Sequence, residues 1–351
     1  MCRLAYSFIF ALQCLALSLQ LSGHDQNEFP QKAEQLAVPL GLTPIPWPKD
    51  DPYSAKKAQL GRILYFDKRL SSDGTIACAS CHQVQRAFTD NLPVAKGVHG
   101  RTGTRHAPTI INSAYNRTQF WDGRANSLED QCKGPIANIN EMSLNPDVEK
   151  TYRECEQRLY KIEGYRKLFK EAFGHDKITI DDIAKALATF ERTILSGNSP
   201  YDKYMAGDKT AMNTEQLQGY QVFKKYGCTN CHFGPNFTDG RFINVGIGMD
   251  AKNPDLGRFE VTHNQNDWGA FKIPTLREVK FTYPYMHNGS VKTLEDVIDY
   301  YGKGVIKNKN LNPLIHPLHL TNDEKKALVS FLEALSGEGW EHFAPPAEFP
   351  K

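Results

Sequence analysis

A chain of 351 residues has room for two domains of ordinary size, and 40% hydrophobic with 23% charged residues is the composition of a soluble globular protein. The 42 basic and 40 acidic residues leave a net charge of +2 and are well mixed, with no basic stripe, which argues against a nucleic-acid partner.

The first 23 residues differ from the rest of the chain: Arg3 is the only charge before His24, and residues 4–22 are dominated by Leu, Ala, Phe and Ile. This is the n-region and h-region of a secretory signal, with a membrane anchor of the same length as the alternative. Either places residues 24–351 outside the cytoplasm, and the periplasm is the expected location. Residues 24–52 are polar and proline-bearing and read as an extended arm on the first domain.

A helix is expected over 53–66, with Ala55, Leu60, Ile63 and Leu64 on its apolar face. The turn Ser71-Ser72-Asp73-Gly74 leads into Cys78-Ala79-Ser80-Cys81-His82. This is C-x-x-C-H, the attachment signal of a c-type haem: two thiols bond the vinyl groups of one porphyrin, and the next residue offers its imidazole to the iron. Residues 83–120 read as a long irregular loop, and such a loop in a compact domain is usually functional. It holds two candidates for the far side of the first iron, His106 and His99, the latter set between glycines in Gly97-Val98-His99-Gly100. Trp121 alone reads as a core aromatic. Helices are expected over 145–175 and 181–195, the second with Ile183, Leu187, Phe190 and Ile194 on one face. Ser196-Gly197-Asn198-Ser199-Pro200 ends it and marks the domain boundary.

The second half repeats the plan. A helix over 214–226, capped by Thr214, delivers a second C-x-x-C-H at Cys228-Thr229-Asn230-Cys231-His232. Residues 233–292 are mostly loop. Thr293 caps a helix that Gly302 ends, and Thr321 with Glu324 forms a capping box for a last helix. The expected fold is mostly α, with two cytochrome c-like haem domains, 24–198 and 199–351, and long irregular loops. For the second iron the far-side candidates are Met249, Met286 and Tyr301. Cys2 and Cys14 leave with the signal. Cys132 and Cys155 form either a disulfide or two free thiols.

Haem iron with an open far side can bind a small molecule, and a peroxidase needs a group that moves the proton of iron-bound peroxide from one oxygen to the other. A carboxyl in an apolar pocket, with a carboxamide such as Gln131 to orient the peroxide, would serve; Glu141 sits among Ile139, Asn140 and Met142, though spacing alone does not single it out from the 40 acidic residues.

With these residues in view, the sequence resembles the bacterial diheme cytochrome c peroxidase family, which includes the MauG-type enzymes. The resemblance covers nearly all of residues 53–336. Beyond the two haem motifs it rests on Gln119-Phe120-Trp121-Asp122-Gly123-Arg124, Leu128, Gln131, Gly134-Pro135 and Glu141-Met142, then on Ile273-Pro274-Thr275-Leu276-Arg277 and Pro284-Tyr285-Met286-His287-Asn288-Gly289-Ser290. It implies His82 as the proximal ligand of a low-potential, peroxide-reacting haem and His232 as that of a high-potential, electron-accepting haem. It implies Trp121 between the haems, which reverses the core reading. Gln131 and Glu141 match the distal glutamine and the acid/base glutamate. His99 matches, across a one-residue gap, the loop histidine that caps the first haem in resting peroxidases.

Two positions depart from the typical peroxidase. Tyr301 stands where typical peroxidases have Met and MauG-type enzymes have Tyr; a phenolate favours ferric iron and lowers the potential, and Met286 is the alternative ligand. The family's calcium is held by an asparagine and two backbone carbonyls. Thr282 and Pro284 match the carbonyls, but His106 stands at the asparagine position, and imidazole suits calcium poorly, so calcium is left in doubt. The expected activity is reduction of hydrogen peroxide to water with electrons from a small cytochrome c or cupredoxin. The alternatives are a MauG-like oxidase acting on a partner protein or organic molecule, and a non-catalytic electron-transfer diheme cytochrome. A homodimer is an open expectation.

Overall fold

A computed structural model describes residues 28–351. The expected signal, with Cys2 and Cys14, lies outside the described residues.

Helix α1, Ala55–Phe66, starts where the Ser54 side chain accepts the Lys57 N–H. The single turn α2, Cys78–Cys81, carries the first motif. Helix α3, Leu128–Ala137, is capped by Ser127. The helix expected over 145–175 is two, α4, Val148–Tyr160, and α5, Glu163–Phe173. Then come α6, Ile180–Glu191, and α7, Pro200–Met205. Helix α8, Thr214–Lys225, is capped by Asn213 rather than Thr214: the Asn213 Oδ1 accepts the Gln216 N–H at 2.9 Å. After the short α9, Phe259–Thr262, come α10, Leu294–Lys303, and α11, Asn322–Glu333, with the expected caps at Thr293 and Thr321. A two-residue antiparallel pair, β1 Phe242–Ile243 with β2 Phe271–Lys272, is set in the second loop region, Phe242 opposite Lys272.

Two helix crossings build two cores. α1 packs on α6, and α8 packs on α11. In the first, a Cβ added to Gly61 would lie 1.9 Å from the Ala186 carbonyl oxygen and 2.8 Å from the Phe190 Cβ. In the second, a Cβ added to Gly219 would lie 1.9 Å from the Ala327 carbonyl oxygen and 2.7 Å from the Phe331 Cβ. One glycine-mediated crossing is therefore made twice, and it sets Ala186 equivalent to Ala327 and Phe190 to Phe331. The first core gathers Leu64, Tyr65, Phe88, Leu187 and Phe190; the second gathers Val222, Phe223, Ile298 and Phe331.

The ends of the chain do not respect a division at 198/199. Trp340 and Phe343 are buried in the first core, and the Lys351 carbonyl accepts the Gly164 N–H at 2.8 Å. The arm likewise touches both units. Phe29 packs edge-on against Phe190. Further on, the Gly41 carbonyl meets Arg277, which is buried with Asp202 in an ion pair at 2.5 Å, the two side chains 1% and 2% exposed.

Candidate haem sites and the cavity between them

The histidines of the two motifs are fixed the same way. The His82 N–H donates to the Cys78 carbonyl at 3.0 Å and the His232 N–H to the Cys228 carbonyl at 2.9 Å. The His82 Nδ1 lies 3.1 Å from the Phe88 carbonyl oxygen, and the His232 Nδ1 lies 3.0 Å from that of Phe237. A carbonyl requires N–H there, so each Nε2 keeps its lone pair for iron. Burial lowers the pKa of both imidazoles, against the raising effect of these carbonyls, and so favours the neutral, ligating form. The Phe88 and Phe237 backbones turn with φ of 57° and 48° to aim those carbonyls. The Thr109 hydroxyl holds the Ala87 carbonyl and the Thr275 hydroxyl holds the Asn236 carbonyl, each at 2.7 Å. Pro108-Thr109 thus repeats Pro274-Thr275, a correspondence the sequence reading missed. With paired thiols beside each imidazole, both sites fit a covalently held haem.

One cavity, of about 350 Å³ open space, is lined by both His82 and His232. Trp121 stands in it and bridges the domains: its Nε1–H donates to the His106 carbonyl at 2.9 Å, and its own carbonyl accepts the Lys272 N–H at 2.7 Å. The His106 N–H donates to the His287 carbonyl, also at 2.7 Å. These two bonds are reciprocal. Trp121 and His287 sit at the same point of a repeated hairpin, closed by Gln119 N–H to Ala125 at 2.8 Å and by Tyr285 N–H to Val291 at 2.6 Å. Phe120 and Gly123 have φ of 67° and 68°; Met286 and Gly289 have 71° and 61°. Each of these glycines presses on the other domain. An added Cβ at Gly123 would meet the Phe242 ring at 2.2 Å, and one at Gly289 the Pro93 backbone at 2.4 Å. The domain contact is therefore of isologous type, as between two copies of one unit.

The repeat then separates the two far sides. Ser127 and Thr293 cap equivalent helices, α3 and α10. Three equivalent positions line the cavity: Leu128 and Leu294, Gln131 and Val297, Pro135 and Tyr301. Proline offers iron no donor atom. Tyr301 offers a phenol, deep beside the second motif, whose pKa is raised by burial and by Tyr300 and the sulfurs of Cys228 and Cys231. Met286 also lines the cavity but holds the hairpin place of Phe120. Glu141 lines the first site, where its Oε1 accepts from Asn138 Nδ2 at 2.6 Å and its backbone carbonyl accepts the Val98 N–H at 2.9 Å. Burial raises its pKa, while Arg124 and the Asn138 bond oppose the rise. Arg124 is itself stacked over the Phe120 ring at 3.5 Å and paired with Asp122 at 2.9 Å.

His99 is not brought to this site. Its side chain is 62% exposed and its Nε2 lies 3.8 Å from Asp73. The hydrogen bond from Val98 to Glu141 turns Val98, fully buried, inward, and His99 at φ 53° then points outward. Of that loop, Gly97 lines the cavity. Cys132 and Cys155 are both buried free thiols, and Cys132 Sγ instead lies 3.8 Å from Glu191 Oε1. The calcium donor set does not fit. His106 Nδ1 is occupied by the Leu92 carbonyl at 2.8 Å, and its buried Nε2 makes no hydrogen bond. A soft, aromatic nitrogen there is a poor partner for a hard cation.

Two further cavity residues escaped the sequence reading. Lys272 is half-buried beside Trp121, with Nζ on the Thr118 carbonyl at 2.8 Å and its pKa lowered to about 8 by desolvation, against the pull of Asp122. Glu191, the last residue of α6, lines the first site. Lysines and glutamates are common enough that only their repeat partners would have marked them.

A family model described as di-haem cytochrome c peroxidase matches residues 55–210. The chain is 40% identical over 289 residues to cytochrome c551 peroxidase of Nitrosomonas europaea, with 82% of each chain covered. It is 38% identical over 298 residues to the methylamine utilization protein MauG of Methylorubrum extorquens, covering 84% of this chain and 82% of that one. Among solved structures, a MauG-like protein associated with microbial copper homeostasis matches with a TM-score of 0.79 and 31% identity over 90% of this chain and 98% of that chain. With two attachment motifs on a duplicated helical scaffold, the chain belongs to the di-haem cytochrome c peroxidase family and carries two c-type haems.

Proposed function

We propose that the chain reduces hydrogen peroxide to water at the first site, with electrons entering at the second from a small cytochrome c or cupredoxin in the periplasm. The observation that carries this reading is the asymmetry of the duplicated far sides: Pro135 and Gln131 with Glu141 at one, Tyr301 and Val297 at the other. Each bound haem supplies an iron that exchanges single electrons, and one of them a coordination position for peroxide. Around it the side chains divide the work. The Gln131 carboxamide orients the peroxide. Ionised Glu141 takes the proton from the near oxygen and returns it to the far one, which leaves as water. Trp121 lies on the path between the two sites. The net change, H2O2 with two electrons and two protons to two waters, is balanced by the donor and by solvent. No described helix is long and apolar enough to cross a membrane.

A second reading rests on Tyr301. With a phenol at the second site the oxidising equivalents of peroxide could be drawn from a partner protein or an organic molecule, as a MauG-type enzyme would. One experiment separates the two: reduced protein is mixed with peroxide in a stopped-flow spectrometer, with and without a small cytochrome donor. Rapid turnover of the donor supports peroxidase activity. A long-lived oxidised state of both haems that ignores the donor sinks it and favours the MauG-like reading.

A further inference from the structure

We infer that Glu191 is the redox-linked proton site of the first haem, a second carboxyl in that cavity which takes up a proton when the haem gains an electron. The inference needs only the haem at Cys78–His82 and not the role proposed for Glu141.

Glu191 is 5% exposed. It lines the main cavity with His82 and Glu141, and also a smaller cavity of about 50 Å³ behind Cys78 and Cys132. Its Oε1 accepts from the Cys132 thiol at 3.8 Å, and its Oε2 is buried without a hydrogen bond. Among the described residues no basic side chain forms an ion pair with it. Arg192, beside it, is committed to Glu129 through two bonds of 2.6 and 3.1 Å.

The duplicated scaffold supplies an internal control. The glycine crossings set Phe190 equivalent to Phe331, so Glu191 corresponds to Leu332. Leu332 is buried and lines the same cavity on the second side. Packing at this position is thus satisfied by a leucine. A carboxyl put there costs stability, because burying it with so few partners loses its hydration, and its presence therefore points to a task. The carboxyl is present at one site only.

The groups that face it come from every neighbouring element. Tyr65 approaches from α1, Cys78 from α2, Cys132 and Glu129 from α3, and Arg192 from just past the end of its own helix. Burial pushes its pKa up to about 7; Arg192 and the Cys132 bond oppose this, and Glu129 adds to it. In so dry a setting one unit of charge gained or lost on the iron shifts the proton affinity of a nearby carboxylate strongly. The coupled step balances. One electron from the donor enters the first haem and one solvent proton binds the Glu191 carboxylate; on oxidation both leave.

The test uses the holoprotein with both haems attached. Potentiometric titration of the first haem, across about pH 5 to 9, should give a potential that falls by about 59 mV for each tenfold drop in proton concentration near the carboxyl's pKa. Glu191→Gln should abolish that slope while the pH response of the second haem stays as it was. An unchanged slope in Glu191→Gln overturns the inference, and so does a slope abolished by Glu141→Gln alone. Should the variant fold poorly, wild-type protein decides. Its reduced-minus-oxidised infrared spectrum should gain a protonated carboxyl band sensitive to heavy water, and absence of any such band refutes the assignment.

Discussion

Replacing Glu141 by Gln tests the proposed chemistry with little disturbance to its surroundings. The new side chain has nearly the same volume and keeps an Oε1 to accept from Asn138 at the 2.6 Å contact. The backbone anchors, Glu141 N–H to Asn138 and Val98 N–H to Glu141, do not depend on the side chain. What is lost is the ability to hold a proton. A positioned acid–base group contributes about 10²- to 10⁴-fold, which is roughly 3–5 kcal/mol on the barrier at ~1.4 kcal/mol per tenfold. The second-order rate of haem oxidation by peroxide, tracked by Soret absorbance in stopped flow, should fall by that factor with both haems still bound. The pH profile sharpens the test. As a base, Glu141 must be ionised; burial raises its pKa, so it keeps its proton to a higher pH than an exposed glutamate. Wild-type rate should therefore fall as pH drops through that raised value, and the variant should be slow and lack this acid limb. A variant within a few-fold of wild type, with the limb intact, would refute the role.

Other expectations rest on single contacts. Trp121→Phe removes the Nε1–H donor to the His106 carbonyl and shrinks the ring between the sites; stability should fall by about 1 kcal/mol and electron transfer between haems should slow, so an unaltered interhaem rate would remove Trp121 from the path. If Tyr301 ligates the second iron as proposed, Tyr301→Met puts a thioether in place of an oxygen donor and should raise the potential of the second haem, and a potential that does not move would point to Met286 as the ligand. Removing calcium with a chelator should change neither the thermal midpoint nor the peroxide reaction, because His106 Nδ1 is already held by Leu92; stoichiometric calcium in the purified protein would contradict this. Gly61→Ala and Gly219→Ala should each destabilise by about 1–3 kcal/mol in urea titrations, despite the better helix propensity of alanine, since each Cβ would meet a carbonyl at 1.9 Å, and a stabilising substitution at either would undo the repeat argument.

What could be read in advance was what local chemistry spells out. The haem motifs are contiguous, and helix starts such as Thr293 and Thr321 announce themselves within one turn. Helix α3 was hidden by Gly134-Pro135, which look like breakers; Pro135 sits near its end, where the bond it fails to make with Gln131 is one of the last. His99 was read from its flanking glycines, which allow either direction, whereas the direction is chosen by burial of Val98 and its bond to Glu141, about forty positions downstream. Glu191 and Lys272 carry no local signal. Their meaning comes from partners across the fold, and a periodicity search is blind to a repeat whose loops differ in length.

The repeat itself explains how one scaffold makes two unlike haem sites. The attachment motif, the histidine tautomer and the helix crossing are duplicated down to the carbonyls that hold Nδ1, so both motif histidines would offer Nε2 to an iron alike. Three of the facing positions differ in chemistry. Pro135 against Tyr301 decides whether the far side has a donor atom, Gln131 against Val297 whether it is polar, and Glu191 against Leu332 whether a buried group can hold a proton. All three changes act in one direction: they open and acidify the first site and close the second. These differences support the proposed division, with peroxide chemistry at His82 and electron entry at His232. The isologous contact brings the two sites together, and at its equivalent points an indole, Trp121, stands against an imidazole, His287.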